Sequence, residues 1–498
     1  MARNPKRLGA GATAIAVLVI LALIAATGYL IWLCIDLVNT DAIPTQPEAS
    51  VVLPNVTEAP EDPATVPTEE ETVPPTTEPP QPETVVATAT ISTQGDLLMH
   101  SPVFATAKKN DGTYDFENIF RYSKDLVSSV DYAIANLETT FGGPKHPHQP
   151  NMAFCCPDEL AANAKDFGYD MFITANNHSG DAMGDGLIRT LEVTREAGLA
   201  TVGSQMPGEK RYTIVEVNGM KIGMVAYTWA FKDNGGSFSL NGLAAIKDEG
   251  QMNFYTKVNP DKLYREAEDI MEQMRAEGVD ATMMQIHWGE EYTTKENALQ
   301  NKIAQKLCDI GFDVIVGGHP HVVQPMELLT STKDPEHTTV CIYSLGNAVS
   351  NQRQGVSDKF AGGFTEDGVF FTVTFEKYSD GKVYLSEVNA IPTWVNKHAN
   401  DGATEYNILP LDKEKEDSWK DAFKLTDNNL AAAKRSFDRT MDIIGEGLKQ
   451  CQDHLAAAKE AREQYYYDLA HNPRKFEAPA ETVPETTPVE ETTLPNAA

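Results

Sequence analysis

The sequence predicts an α/β fold for its central part, preceded by one transmembrane helix and followed by a helical appendix. Three observations lead there. From about Thr88 to Trp394, short β-branched runs alternate with helical stretches, the pattern of an α/β domain. Potential metal-binding residues recur where those strands end, the usual place for ligand sites in open α/β sheets. Outside this region the composition changes, to an apolar run near the start and to Pro, Thr and Glu on both flanks.

The chain begins with Arg3, Lys6 and Arg7, and from Ala10 it then runs without a charge until Asp36. As a helix that run spans the roughly 30 Å hydrocarbon layer of a membrane. Basic residues ahead of it and acidic sequence behind predict a cytoplasmic amino terminus, with everything after Asn39 outside the cell. A cleaved signal peptide is the alternative, with a shorter apolar core of about 7 to 15 residues. Between Thr40 and Val86 there are ten Asp/Glu and no Lys/Arg, and between Glu477 and Ala498 five and none. Both stretches are too polar to bury a core and too rich in proline for helix or sheet, so 40–87 reads as an extended linker and 474–498 as a tail. The net charge of −31 argues against a nucleic-acid partner. Six cysteines form no disulfide framework: Cys34 falls in the apolar run, Cys308 and Cys341 in core-like segments, and the adjacent Cys155 and Cys156 are left open.

Within the domain, 88–395, strands are expected at "TATIST", "YAIANL", "MFITANN", "YTIVEV", "KIGMVAYTW", "ATMMQIHW", "VIVGG", "VCIYSLGN" and "GVFFTVTFEK". Helices are expected at Pro157 to Phe167, Asp185 to Ala197, Pro260 to Glu277 and Lys295 to Ile310. The appendix, 396–473, carries a heptad-like seam through Phe437, Met441, Ile444, Leu448, Cys451, Leu455 and Ala458. Gly445 and Gly447 predict a kink in it, each costing about 1 kcal/mol relative to alanine. The seam reads either as a long helix packed on its own domain or as a coiled-coil dimer.

Five strand ends carry metal-binding chemistry: Asp96 with His100, Glu138, Asn177 with His178, His287, and His319 with His321. Each alone has an ordinary explanation as a turn residue, a solvated strand end or a satisfied core histidine. Their recurrence in one domain is the evidence for a shared site. In an extended strand, residues two apart point the same way, so His319 and His321 are expected to aim both imidazoles at one point. Carboxylates, an amide oxygen and imidazoles without cysteine suit Mn, Zn, Fe or a similar divalent pair rather than a structural zinc site. A pair of ions also needs a bridging carboxylate.

The successive segments "GDLLMH", "NLET", "ANNHSGD", "HWGEEY", "GGHPHVVQP" and "YSLGN" resemble the signatures of the poly-γ-glutamate capsule synthesis family, the CapA type, over about Thr90 to Pro392. That family is similar in fold to the calcineurin-like metallophosphoesterases. The resemblance therefore implies a four-layer α/β/β/α sandwich with a dinuclear metal site at the strand ends. It implies that Asp96 binds the first ion, that Glu138 replaces the usual bridging aspartate, that Asn177, His287 and His319 serve the second, and that His321 returns to the first. Phosphoesterases carry Asp-x-His at the first cluster, whereas His100 follows Asp96 by four residues. His100 is therefore left open as a metal or pocket residue; Asn347 in "YSLGN" reads either as a pocket residue or as a turn residue, and Glu291, a possible metal or pocket residue, reads sooner as a supporting or solvated carboxylate than as a ligand.

The expected function is that of a membrane-anchored, outward-facing metallohydrolase acting on an anionic envelope polymer or phosphoester. His178 would protonate the leaving group and Asp181, three residues on, would orient it. A reading from another class is a non-catalytic scaffold that binds polymer and the membrane subunits of a polyglutamate synthesis complex.

Overall fold

The computed structural model describes residues 82–146, 153–232, 236–241, 244–245 and 248–472. The expected membrane helix, nearly all of the linker and the tail lie outside the described residues, among which no helix is long and apolar enough to cross a membrane.

Strands form where Val, Ile, Thr and aromatic residues accumulate, since these pack well on a pleated surface. In chain order they are β1 (Val85–Leu97), β2 (Tyr132–Asn136), β3 (Met171–Ile173), β4 (Ala200–Val202), β5 (Tyr212–Val217), β6 (Met220–Trp229), β7 (Phe231–Lys232), β8 (Phe238–Leu240) and β9 (Ala244–Ala245). They continue as β10 (Phe254–Tyr255), β11 (Ala281–His287), β12 (Val314–Gly318), β13 (Val323–Thr330), β14 (Thr338–Leu345), β15 (Asn347–Val349), β16 (Asp367–Tyr378), β17 (Val383–Asn400) and β18 (Ala403–Pro410). The longer helices are α1 (Glu159–Asp166), α2 (Met183–Glu196), α3 (Asp261–Ala276), α4 (Ala298–Ile310) and α5 (Asp427–His471). Asn297 caps α4 through a capping box with Gln300, and Gly311, in the left-handed region, ends it.

Two mixed sheets hold most of the strands. The first runs β18-β17-β16-β1-β2-β3-β4, with β15 added beside the end of β1; the second runs β10-β6-β11-β12-β14-β13, with β5 beside β6. Strands β7, β8 and β9 make a small third sheet. Ile91, Ile134 and Phe371 of the first sheet share one apolar layer with Met224, Met283 and Val316 of the second. On its other face the first sheet packs Ala133 and Phe172 against Leu160 of α1. The second packs Met284 and Ile315 against Leu263 of α3 and Leu307 of α4. The succession is therefore helix, sheet, sheet, helix. Strand β11, covered on both faces, buries all seven of its residues, Thr282, Gln285 and His287 included.

All nine expected strands and four expected helices have counterparts. The boundary at 395 does not hold: β17 runs through it to Asn400 and β18 follows, so the first part of the supposed appendix completes the first sheet. The appendix helix is α5, and Thr426 caps it by accepting from the Asn429 amide. Its seam residues Ile444, Leu448, Cys451 and Leu455 are buried in the layer between the sheets, so the stripe is used within the chain. The two glycines do not interrupt α5, which is continuous from Asp427 to His471. Gly447 serves close approach instead: a Cβ there would lie 1.9 Å from the Met326 carbonyl oxygen of β13.

Candidate metal centre

The parallel strands β1, β2 and β3 of one sheet and β11 and β12 of the other all end at the same place. Asp96 lies near the end of β1, Glu138 two residues beyond β2, Asn177 and His178 in the turn after β3, His287 at the end of β11, and His319 and His321 just beyond β12. The fold thus gathers onto one point residues spread over more than two hundred positions of sequence.

Two groups of potential ligands result. Glu138, His287 and His319 form one, and Asp96, Glu138 and His321 the other; within each group the ligand atoms lie within 4.8 Å of one another. Glu138 belongs to both. Its Oε1 is 3.5 Å from His287 Nε2 and 3.7 Å from His321 Nε2. Asn177 Oδ1 lies 2.8 Å from His287 Nε2, which adds an amide oxygen to the first group. His321 Nδ1 lies 3.0 Å from Asp96 Oδ2.

The convergence of the two neighbouring histidines has a different origin from the expected strand alternation. Strand β12 stops at Gly318, and His319 and His321 both have positive φ, 95° and 56°. Two non-glycine residues in this region are held at a cost of order 1 to 3 kcal/mol each, a strain that clusters at functional sites. Gly317 lets the strand approach: a Cβ there would lie 2.0 Å from the Tyr343 carbonyl oxygen.

The centre is buried, and burial dominates its electrostatics. Burial, with Asp96 beside it, pushes the Glu138 carboxyl well above the ordinary carboxylate range. Burial acts in the same direction on Asp96, but the hydrogen-bonded His321 outweighs it and the net shift is downward. Burial takes His287 down to about 3 and drives His319 well below the ordinary imidazole value, helped by the neighbouring histidines. Neutral imidazoles keep the lone pairs that metal ligation requires. Glu138 Oε1 and His319 Nδ1 are buried without a hydrogen-bond partner among the described residues. Such orphans are costly, and a shared cation would satisfy both. The donor set therefore fits divalent ions.

His178 is close by but does not enter either group. Its Nδ1 is 2.8 Å from Asp181 Oδ2, which also accepts the Phe154 amide at 2.5 Å. Phe154 holds the ring from the side, edge to face at 4.5 Å. His100 also lies outside both groups. It packs against Phe154, accepts the Asn351 amide at Nδ1 and is pushed down to about 4 by burial. Asn347 pairs with Asp96 along β15 and donates to the His321 and Thr365 carbonyls, so it braces the histidine loop. Glu291 is exposed.

Three participants were not singled out from the sequence. Asn136 donates to Asp96 Oδ1 at 2.8 Å, reaches Glu138 Oε2 at 3.4 Å and accepts from Asn176, which spaces the two carboxylates. Its position two residues before Glu138 on β2 was the available signal, since that spacing puts both on one face. Asn241 accepts from Asn177 at 3.3 Å, and no motif marks it. Tyr292, with φ 63°, sits over His321 at 6.1 Å between ring centroids.

Comparison with known proteins gives four matches. The family model described as bacterial capsule synthesis protein PGA_cap matches residues 90–352, which contain every candidate ligand but neither β16–β18 nor α5. The chain is 27% identical over 270 residues to a capsule biosynthesis protein CapA of Bacillus anthracis, covering 53% of this chain and 60% of that protein. It is 29% identical over 266 residues to the PGA biosynthesis protein CapA of Bacillus subtilis (strain 168), covering 52% and 62%. The chain thus spans less than two thirds of the length of these relatives. A purple acid phosphatase, PPD1 from yellow lupin (Lupinus luteus) seeds, overlaps 63% of this chain and 55% of its own at 9% identity, with a TM-score of 0.26 that is too low to carry an argument.

Proposed function

Since this chain belongs to the PGA_cap family of bacterial capsule synthesis proteins, we propose that it is a metal-dependent hydrolase of metallophosphoesterase type, acting on an anionic polymer or phosphoester of the cell envelope. The observation that carries this reading is the pair of buried ligand groups sharing Glu138. Asp96, Glu138 and His321 would hold one ion, and Glu138, Asn177, His287 and His319 the other. Bound there, divalent ions supply Lewis-acid polarisation, charge screening and hydroxide at neutral pH.

The remaining steps belong to the protein. Asn136 keeps Asp96 and Glu138 apart and oriented. Asp181 accepts the Nδ1–H hydrogen bond of His178 and fixes the ring, so that Nε2 delivers a proton to the leaving oxygen or nitrogen. Phe154 sets the ring plane. In the same reading the uncharged run from Ala10 anchors the chain, and the domain faces outward toward membrane subunits that assemble the polymer.

The test is a screen of the full-length, metal-loaded chain against phosphoesters and γ-glutamyl polymers, with His178→Ala beside it. The variant should keep its metal content and lose turnover by about a hundredfold to ten-thousandfold. Turnover at the wild-type rate would remove His178 from the mechanism. Absence of turnover on every substrate, with polymer yield in cells still dependent on the protein, would favour an assembly scaffold.

A further inference from the structure

Trp229 ends β6 and stands between the metal centre and a second feature. Its ring meets His319 edge to face at 5.3 Å between centroids, and Phe231 at 4.8 Å. It also lines a cleft of about 530 Å³ whose walls include Lys232, Lys257, Lys262 and Arg265 against a single carboxylate, Asp261. Four cations in one cleft run against the character of a chain with net charge −31.

The cations are of two kinds. Lys257 and Lys262 are held: Lys257 Nζ lies 4.3 Å from the Trp229 ring centroid and donates to the Gly289 carbonyl at 2.8 Å, and Lys262 Nζ lies 3.9 Å from that of Phe254. Each also pairs with a carboxylate at 3.1 Å, Glu290 and Glu266 respectively. Lys232, whose Nζ lies 5.5 Å from the Phe238 ring centroid, and Arg265 are exposed and form no ion pair among the described residues. Trp229 is 5% exposed, and its Nε1 is buried without an acceptor among the described residues. Exposed cations without carboxylate partners beside apolar rings suit a ligand that carries negative charge.

We propose that this cleft is a substrate subsite which binds the negative charges repeated along the substrate beyond the bond under attack, with Lys232 and Arg265 as its specificity residues. The proposal rests on the hydrolase reading for its placement: Trp229 lines the cleft and its ring also meets His319, so one side chain separates the cleft from the metal centre. Lys232 and Arg265 supply charge, while Trp229, Phe231 and Phe238 supply flat apolar surface for the uncharged stems between charges. Carboxylate and phosphate repeats share this chemistry.

The experiment is isothermal titration of the full-length chain, stripped of metal by chelation, with a γ-glutamyl hexamer, a short polyphosphate and inorganic phosphate as probes. At least one oligomer should bind more tightly than inorganic phosphate. In the Lys232→Glu/Arg265→Glu variant that affinity should fall at least tenfold, with circular dichroism and metal uptake unchanged, and in Lys232→Gln/Arg265→Gln it should fall by less. The oligomer that is lost identifies the repeat as carboxylate or phosphate. Equal affinity in wild type and both variants, or no preference of wild type for either oligomer, overturns the proposal. Failure of the hydrolase reading looks different: the oligomer still binds, and the chain reloaded with metal does not cleave it.

Discussion

His100 shows how burial alone assigns a residue its part. Its ring is wedged beside Phe154, and burial brings its pKa from 6.5 to about 4, so it stays neutral at physiological pH. The unfolded chain protonates the same residue near 6.5, so on acidification the unfolded state binds the extra proton. The contribution His100 makes is therefore complete above pH 6.5 and is lost as pH falls toward 4, by at most about 3 kcal/mol. Replacing it as His100→Gln should flatten that part of the pH profile of the urea midpoint in chelator; a parallel profile would contradict the assignment. At this scale the sequence revealed ligand types but not their setting. Asp96, Glu138, Asn177, His287, His319 and His321 could be singled out because each lies at or just past a strand end, whereas the left-handed backbone at His319 and His321 could not, since positive φ at non-glycine residues has no local signature. Asn136 hid in plain view as one more polar residue at a strand end.

Helix α5 was legible as a helix and misread as to its glycines. Gly447 occupies the contact with β13, where a side chain would collide with the Met326 carbonyl. In a solvent-exposed helix, Gly→Ala stabilises by about 1 kcal/mol. Here Gly447→Ala should instead destabilise by about 1 to 3 kcal/mol through overpacking against backbone, measured by urea unfolding. A gain in stability would mean that α5 does not lie on β13. The neighbouring Ile444 and Leu448, buried between the sheets, explain why a heptad-like pattern appears without a second helix: one apolar stripe meets a sheet edge as well as it meets another helix. Strands β13, β17 and β18 escaped the sequence reading for a related reason. Pro325 and Pro392 interrupt the first two, and proline argues against a central strand; β13 tolerates it as the edge of its sheet. The short strands β7, β9 and β10, two residues each, lie below what periodicity resolves.

For the whole molecule, two sheets whose parallel strands end together explain why a site can be assembled from distant segments. Each sheet brings its share: β1 and β2 carry Asp96, Asn136 and Glu138, and β11 and β12 lead to the three histidines. Only the packing of sheet on sheet brings Glu138 within reach of His287 and His321 at once. The proposal of a paired rather than a single metal site rests on that reach, because a carboxylate shared by two potential ligand groups is placed to serve two ions. The direct measurement is to load the chelated, full-length protein with Mn(II), determine the bound equivalents and record the electron paramagnetic resonance spectrum, for wild type and for Glu138→Ala. The account predicts about two equivalents with an exchange-coupled spectrum in wild type, and loss of the coupling with a fall to one equivalent or fewer in Glu138→Ala. Less than a tenth of an equivalent in wild type, or a coupled spectrum that survives Glu138→Ala, would contradict it.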